Sequence, residues 1–242
     1  MSSLADSANE VRNHETTLVI AAHPDDEVLG CGGTLARFAR EGRAVHVLLL
    51  ADGESSRFRS SEGAAVPSAL AARSAAATLA SEILGCTSVE VLALPDNRMD
   101  TLDLLDVVRH IESAVERHRP SCVLTHHSSD VNVDHRIVHD AVIAACRPQP
   151  SHPVRELLFF EVPSSTEWRP PGSGLQFNPN WFVDISSTLE KKLEALRAYQ
   201  AELRVFPHAR SLQGVNALAR WRGASVGVEA AEAFVLGRKT IV

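Results

Sequence analysis

The 242-residue sequence lacks several features that define whole classes of protein. Its four cysteines are scattered and form no CxxC pair, so each is expected to be a small buried thiol rather than a metal ligand or half of a disulfide. The formal net charge of −6 provides no basic stripe, which argues against nucleic acid as a partner. No apolar run approaches the roughly 18 residues needed to span a bilayer. We therefore expect a soluble, cytoplasmic protein with no stable membrane insertion.

Short apolar runs alternate with helical patterns along the first two thirds of the chain. Strand, helix, strand, helix recurs four times with short connections, which is typical of a parallel sheet covered by helices on both faces. The sequence therefore predicts the α/β class and a single Rossmann-like domain. The four predicted strands are Thr17–Ala22, Ala44–Leu50, Val89–Leu94 and Cys122–Thr125.

The remainder of the chain has a different character. Residues 1–15 are polar and predict a flexible lead-in, and residues 148–180 predict a lid-like irregular segment that contains one strand, Val154–Glu161. Helices are predicted at the C-terminal end, over Ser187–Leu203, Leu212–Trp221 and Glu229–Leu236. No linker separates these parts, so one domain is expected over 1–242, and we expect the chain to form a homo-oligomer.

Each predicted strand ends in polar residues. Ligands of open parallel α/β sheets bind beyond the carboxyl ends of the strands, so these residues are expected to meet at one edge. Histidines and carboxylates without cysteine fit a catalytic zinc site that has three protein ligands and a position for water. These residues alone leave open which of the two adjacent acids, Asp25 or Asp26, binds the metal. The four strand ends carry His23–Glu27, Asp52–Glu54, Asp96–Arg98 and His126–Asp130, with Asp134-His135 just beyond.

These motifs resemble those of the PIG-L or LmbE-like N-deacetylases. The resemblance begins with Ala22-His-Pro-Asp-Asp-Glu27 and Gly30-Cys-Gly-Gly-Thr34. It continues to Pro207-His-Ala-Arg-Ser211 and so covers nearly the whole chain. It implies an LmbE-like fold and the metal-dependent removal of an acetyl group from the nitrogen of an N-acetylglucosamine-type sugar or sugar conjugate. The intervening matches are Asp52-Gly-Glu54, Arg73, Leu94-Pro-Asp96 and Asp130-Val-Asn-Val-Asp-His-Arg136.

The resemblance also implies roles for individual residues. It assigns Asp25 as the general base, and Asp134 is expected to orient His135 or another group of the site. The bound metal is expected to be Zn²⁺, although two histidines and an aspartate also accept Fe²⁺. The implied zinc ligands are His23, Asp26 and His135, and the implied sugar contacts are Glu54, Arg73 and Asp96.

The sequence departs from a common form of the pattern at Asn132, where many relatives carry a histidine. An asparagine amide can donate a hydrogen bond to an oxyanion but cannot shuttle a proton. The leaving amine would then be protonated by Asp25 alone or with help from His208, which could equally be structural. Arg210, two residues further on, is expected to contact the substrate. His139 lies four residues after His135 and could share its helix face and the metal.

Three alternatives remain open at this stage. A zinc amidase could cleave a bulkier amide, such as that of a thiol-sugar conjugate, or the chain could be a non-catalytic carbohydrate-binding module. Gly30-Cys-Gly-Gly33 could form a dinucleotide loop, but the third glycine of that pattern falls on Leu35. Trp168, in the irregular segment, is expected to line the substrate cleft, with a surface position as the alternative.

Overall fold

The four predicted parallel strands are present in the computed structural model, which describes residues 15–57 and 66–241. A fifth parallel strand follows them, and two antiparallel strands complete a seven-stranded sheet in the order β3-β2-β1-β4-β5-β7-β6. The lead-in predicted over 1–15 lies outside the described residues except for Glu15. The strands are β1 (Thr16–Ala21), β2 (Ala44–Ala51), β3 (Ser88–Leu94), β4 (Cys122–His126), β5 (Glu156–Phe160), β6 (Trp181–Asp184) and β7 (Ala231–Lys239).

Helices cover both faces of the sheet, as predicted. Side chains of a strand alternate between its faces, so Val19 belongs to one hydrophobic core and Ile20 to the other. Helices α1, α2, α5 and α6 pack on the first face, and α3 and α4 pack on the second. The helices are α1 (Asp26–Arg40), α2 (Val66–Leu84), α3 (Leu104–His118), α4 (Val133–Ala145), α5 (Leu189–Ala198) and α6 (Leu212–Ala224).

The helix predicted over Glu229–Leu236 is wrong, because Ala231–Lys239 forms strand β7. Alanine and glutamate favour a helix, but the summed propensity is a weak prior that tertiary contacts override. Here the segment pairs antiparallel with β5 on one side and with β6 on the other. Strand β6 was not predicted at all.

Helix α1 is interrupted at a point where a buried glutamate of β7, Glu232, accepts hydrogen bonds from its backbone. The helix loses its regular geometry at Cys31, where φ is −146°. The backbone amides of Gly33 and Thr34 donate instead to the Glu232 carboxylate, at 2.9 and 2.7 Å. Gly30 lies where any Cβ would overlap the Phe160 ring, so the glycines let α1 pack closely on the sheet. This is a packing role rather than that of a dinucleotide loop.

The strand order reverses between β1 and β4. The chain continues from β1 to β2 and β3 on one side of this point, and from β4 to β5 on the other side. Such a switch point opens a crevice beyond the carboxyl ends of the two strands. Residues 161–180 border this crevice at Ser164, Ser165 and Trp168 and are irregular except for a short 3-10 helix, Thr166–Trp168. Within the described residues, no helix combines the length and apolar character needed to cross a membrane.

Candidate active site

A cavity of about 490 Å³ opens at the switch point. Its volume is in the range of small-molecule sites. The crevice therefore collects residues that are far apart in the sequence. Of the predicted site residues it is lined by His23, Asp25, Asp26, Arg73, Asp96, Asn132, His135 and Arg210, whereas Glu54, Asp134 and His208 lie outside the lining.

Three of the lining residues form a buried cluster with the spacing of metal ligands. His23 follows β1, Asp26 begins α1, and His135 lies in the first turn of α4. The Asp26 Oδ2 atom is 3.2 Å from His23 Nδ1 and 3.2 Å from His135 Nε2. One ligand atom from each residue lies within 4.8 Å of the other two. The end of β1 and the first turns of two helices thus bring two imidazoles and one carboxylate together.

Each histidine of the cluster has a second carboxylate behind it. His23 Nε2 lies 3.0 Å from Asp134 Oδ2, and His135 Nδ1 lies 3.2 Å from Asp130 Oδ2. A carboxylate behind a histidine fixes the orientation of the ring and is the usual support for a metal-binding imidazole. Of the two positions considered for Asp134, the structure places it on His23, and Asp130 takes the place beside His135.

The electrostatics of the cluster favour a cation. Burial alone lowers the pKa of His23, but hydrogen bonds to Asp134 and Asp26 raise it to about 10. Burial also lowers the pKa of His135, and the carboxylates of Asp26 and Asp130 raise it to about 9. The acids therefore stabilise positive charge on both rings. A bound divalent cation would supply that charge and displace the protons, so the residues fit a metal ion.

A second group, His23, Asp96 and Asp134, also has metal-ligand spacing. It shares His23 with the first group. Its Asp134 carboxylate is already held by the backbone amides of Asn97 and Met99, at 2.7 and 3.0 Å. An acid that accepts two backbone hydrogen bonds is better suited to support than to ligation. The first group is therefore the better metal site.

Asp25 is not one of the clustered residues but lines the same cavity. Its φ of 117° lies in the left-handed region, and its side chain makes no cap bond to α1. The Oδ2 atom lies 3.2 Å from Arg210 Nη1. Burial raises the pKa of this carboxyl to about 7, although Arg210 opposes the rise. The two adjacent acids thus lie in different surroundings: Asp26 is part of the cluster, and Asp25 lies beside Arg210.

The backbone of Asp25 is held by Glu27, a residue of the predicted motif, and Glu27 is held in turn by Tyr199, which sequence reasoning missed. Glu27 Oε2 accepts the Asp25 amide at 3.0 Å, and Tyr199 donates its hydroxyl to Glu27 Oε1 at 2.6 Å. Tyr199 directly follows α5 and is 2% exposed. No local pattern marks it, because its function depends on α5 packing beside α1.

The predicted sugar contacts form part of a charged network along one wall. Arg73 lies 3.1 Å from Glu54 and 2.7 Å from Glu202, and Glu202 lies 3.7 Å from Arg210. Glu202, which is 2% exposed, was also missed by sequence reasoning. On the opposite side, Asp96 accepts a hydrogen bond from the Ser56 hydroxyl at 2.5 Å. The wall offers fixed donors and acceptors suited to hydroxyl groups.

Asn132 borders the cavity, but both ends of its side chain are engaged. Its Oδ1 accepts the Asp134 amide at 2.8 Å, which caps α4, and its Nδ2 donates to Asn97 Oδ1 at 3.1 Å. His208 accepts the Arg210 amide through Nδ1 at 3.0 Å and lies edge-on to Trp168, 5.8 Å between ring centroids. Trp168 lines the cavity and is 54% exposed.

Two further histidines are close to the cluster without belonging to it. His126, at the end of β4, stacks on His135 with 3.9 Å between ring centroids, and its Nε2 accepts the Ala22 amide at 2.8 Å. Its position at a strand end was a signal for the site, although no role had been assigned to it. His139 lies 2.9 Å from the His126 carbonyl oxygen and is not among the clustered ligands.

A buried His/Asp cluster at the switch point of an α/β sheet, with a second acid beside it in an open cavity, contains the residue types that metal-assisted hydrolysis uses. The comparisons with known proteins identify a deacetylase family. The PIG-L family, described as GlcNAc-PI de-N-acetylase, matches residues 18–146, and the chain belongs to this family. This membership supports an enzyme that hydrolyses N-acetyl amides.

Individual relatives cover most of the chain. The uncharacterized deacetylase YaiS of Escherichia coli is 31% identical over 83% of this chain and 97% of its own length. The 4-oxalmesaconate hydratase of Pseudomonas putida is 31% identical over 76% of this chain and 72% of its own. The crystal structure of the conserved protein TT1542 from Thermus thermophilus superposes with a TM-score of 0.72 at 28% identity, covering 93% of this chain and 96% of that one.

Proposed function

We propose that this protein is a zinc-dependent deacetylase that removes the N-acetyl group from an N-acetylglucosamine-type sugar or sugar conjugate. The observation that carries the proposal is the His23, Asp26 and His135 cluster with the Asp25 carboxylate beside it in the same cavity. A binding module has no use for a base next to a metal site. Membership of the PIG-L family supports the amide and the sugar class.

His23, Asp26 and His135 would hold the metal. When bound, zinc would polarise the amide carbonyl and lower the pKa of water to about 7. The Asp25 carboxylate would accept the proton from the water that attacks the carbonyl carbon. Its pKa of about 7 in the metal-free protein suits a group that must take up and release a proton near neutral pH.

The remaining residues would bind and orient the substrate. Glu54, Arg73 and Asp96 would contact sugar hydroxyls, and Arg210 would hold both the Asp25 carboxylate and the substrate. Asn132 would donate to the oxyanion through Nδ2, which requires it to leave Asn97. The leaving amine would receive its proton from Asp25.

His208 is the second candidate for protonating the amine. Its ring contacts Trp168, which lines the cavity, so His208 lies directly behind the cavity lining. In this role the ring would have to carry a proton on both nitrogens, so Nδ1 would give up the bond that it accepts from the Arg210 amide while Nε2 donates to the amine.

The test measures acetate released from N-acetylglucosamine derivatives that are free, phosphorylated, nucleotide-linked or β-linked, with protein loaded with Zn²⁺ or Fe²⁺. Release from at least one derivative is expected, and it should stop in His23→Ala and His135→Ala variants that no longer retain metal by elemental analysis. His139→Ala is the matched control, because it removes a histidine one turn further along α4 and should keep the metal.

Other outcomes would replace the proposal. Preferential hydrolysis of longer acyl amides would make the protein an amidase for bulkier conjugates, and sugar binding without turnover would make it a binding module. Hydration of 4-oxalmesaconate without acetate release would assign it the reaction named for the Pseudomonas relative. Full metal occupancy in both histidine variants would refute the ligand assignment.

A further inference from the structure

Asp130 is a fully buried carboxylate between β4 and α4 whose two oxygens are both occupied. Oδ1 accepts the Asn132 amide at 2.8 Å and the hydroxyl of Ser165. Oδ2 accepts the hydroxyl of Thr166 at 2.6 Å and lies 3.2 Å from His135 Nδ1. An ionised carboxylate only accepts hydrogen bonds, so these donors determine which way it faces.

The two hydroxyls come from the wall of the cavity. Ser165 and Thr166 follow β5 and are 4% and 6% exposed. Ser165 precedes the 3-10 helix that ends at Trp168, and Thr166 is the first residue of that helix. Thr166 Oγ1 also accepts the Val162 amide at 2.8 Å, which leaves its proton free to point at Asp130. Residues 165–168, which we call the wall segment, are therefore connected by hydrogen bonds to the Asp130 carboxylate beside His135.

We propose that Ser165 and Thr166 are positioning residues for His135 and act on it through Asp130, so that the wall segment sets the affinity of the metal site. The inference rests on the metal site of the proposed function and extends it to residues outside the family motifs noted in the sequence. Partners that orient a metal-binding histidine typically contribute about 10–100-fold to metal affinity.

The coupling is reciprocal. If the wall segment strengthens metal binding, metal binding must stabilise the wall segment by the same free energy. Metal loading would then also hold the segment that carries Trp168, so an empty metal site would have a looser substrate wall. The link predicts an effect on backbone amides that lie away from the ligands themselves.

The test compares Ser165→Ala, Thr166→Val and the double variant with wild type. The dissociation constant for Zn²⁺ is measured by competition with a chromophoric chelator, and the melting temperature is measured on metal-free protein. Each single change is expected to weaken metal binding about 10-fold, and the double variant more. Thr166→Ser keeps the hydroxyl and should bind zinc as wild type does.

Thr17→Val is the matched control, because it removes a buried hydroxyl without a hydrogen-bond partner from β1. It should leave the zinc dissociation constant unchanged. Ser165→Ala is the more conservative probe, since the hydroxyl it removes contacts Asp130 and the backbone bonds of Ser165 remain. A purely structural role would lower the melting temperature and leave the zinc dissociation constant at the wild-type value, which would overturn the inference.

Hydrogen exchange gives a second readout. Zinc is expected to slow exchange of the Thr166 amide, which donates to the Val162 carbonyl, and the slowing should shrink in Ser165→Ala. Equal slowing in both proteins would contradict the coupling. If wild type itself binds no zinc, the proposed function fails and this inference with it; if wild type and variants bind zinc alike, only this inference fails.

Discussion

Replacing Asp25 with asparagine is expected to abolish most amide hydrolysis while preserving the fold and the metal site. Asparagine has nearly the same shape and tolerates positive φ better than most residues, so the turn at φ 117° should persist. Arg210 keeps Glu202 and the Ser164 hydroxyl as neighbours. Loss of a general base typically costs about 10²–10⁴-fold in rate, or about 3–5 kcal/mol in the activation barrier.

The same substitution is expected to stabilise the metal-free protein. Burial raises the pKa of Asp25 from 3.8 to about 7, so the ionised form is disfavoured by at most about 4 kcal/mol in the folded state. Below about pH 4 the carboxyl is protonated in both states and costs nothing. The cost grows as the pH rises toward 7 and is complete above it, so over this interval Asp25 lowers the stability of wild type by an amount that the variant does not lose.

Thermal unfolding of metal-free protein at pH 5 and pH 8 checks this reasoning. A gain of 1 kcal/mol corresponds to about 2–4 °C for a chain of this size, so Asp25→Asn should melt several degrees above wild type at pH 8 and closer to it at pH 5. Asp100→Asn, at an exposed acid, is the control and should show neither effect. Wild-type kcat in Asp25→Asn would refute its role as base, and a lower melting temperature at pH 8 would refute the burial argument.

Three other substitutions test the wall and the support of the site. Tyr199→Phe removes the hydrogen bond to Glu27 and should lower the free energy of unfolding by about 1–3 kcal/mol and reduce kcat. An unchanged kcat would show that this hydrogen bond does not help to position Asp25. Trp168→Ala should raise KM more than it lowers the melting temperature, and the opposite result would make this half-exposed residue structural. His208→Gln should lower kcat and remove the alkaline limb of its pH profile, whereas an unchanged profile would leave Asp25 to carry both proton transfers.

Local sequence patterns were sufficient to predict the first four parallel strands, β1 to β4. The strands around Val19, Leu48 and Leu124 are continuous apolar runs because each is buried on both faces, and this composition is visible without knowledge of neighbours. The parallel arrangement then brings the strand ends to one edge. For this reason His23, Asp26 and His135 could be expected together, although the choice of Asp26 over Asp25 as ligand came from the family resemblance.

The two antiparallel strands, β6 and β7, could not be predicted in the same way. The segment Glu229–Leu236 has the composition of a helix, and its strand conformation depends on the open edges that β5 and β6 offer it. The lid-like character of residues 148–180 and the homo-oligomer stay predictions.

The supporting groups of the site depended entirely on tertiary structure. Asp134 lies beside His23 rather than His135 because α4 starts next to the end of β1. Tyr199 reaches Glu27, and Glu202 reaches Arg73, because α5 packs against α1 and α2. Sequence determined which residues could do the chemistry, since strand burial and motif spacing are local properties. Only the tertiary structure decided which distant groups hold them in place, because contacts such as that of His23 with Asp134 and that of Glu27 with Tyr199 join residues more than a hundred positions apart.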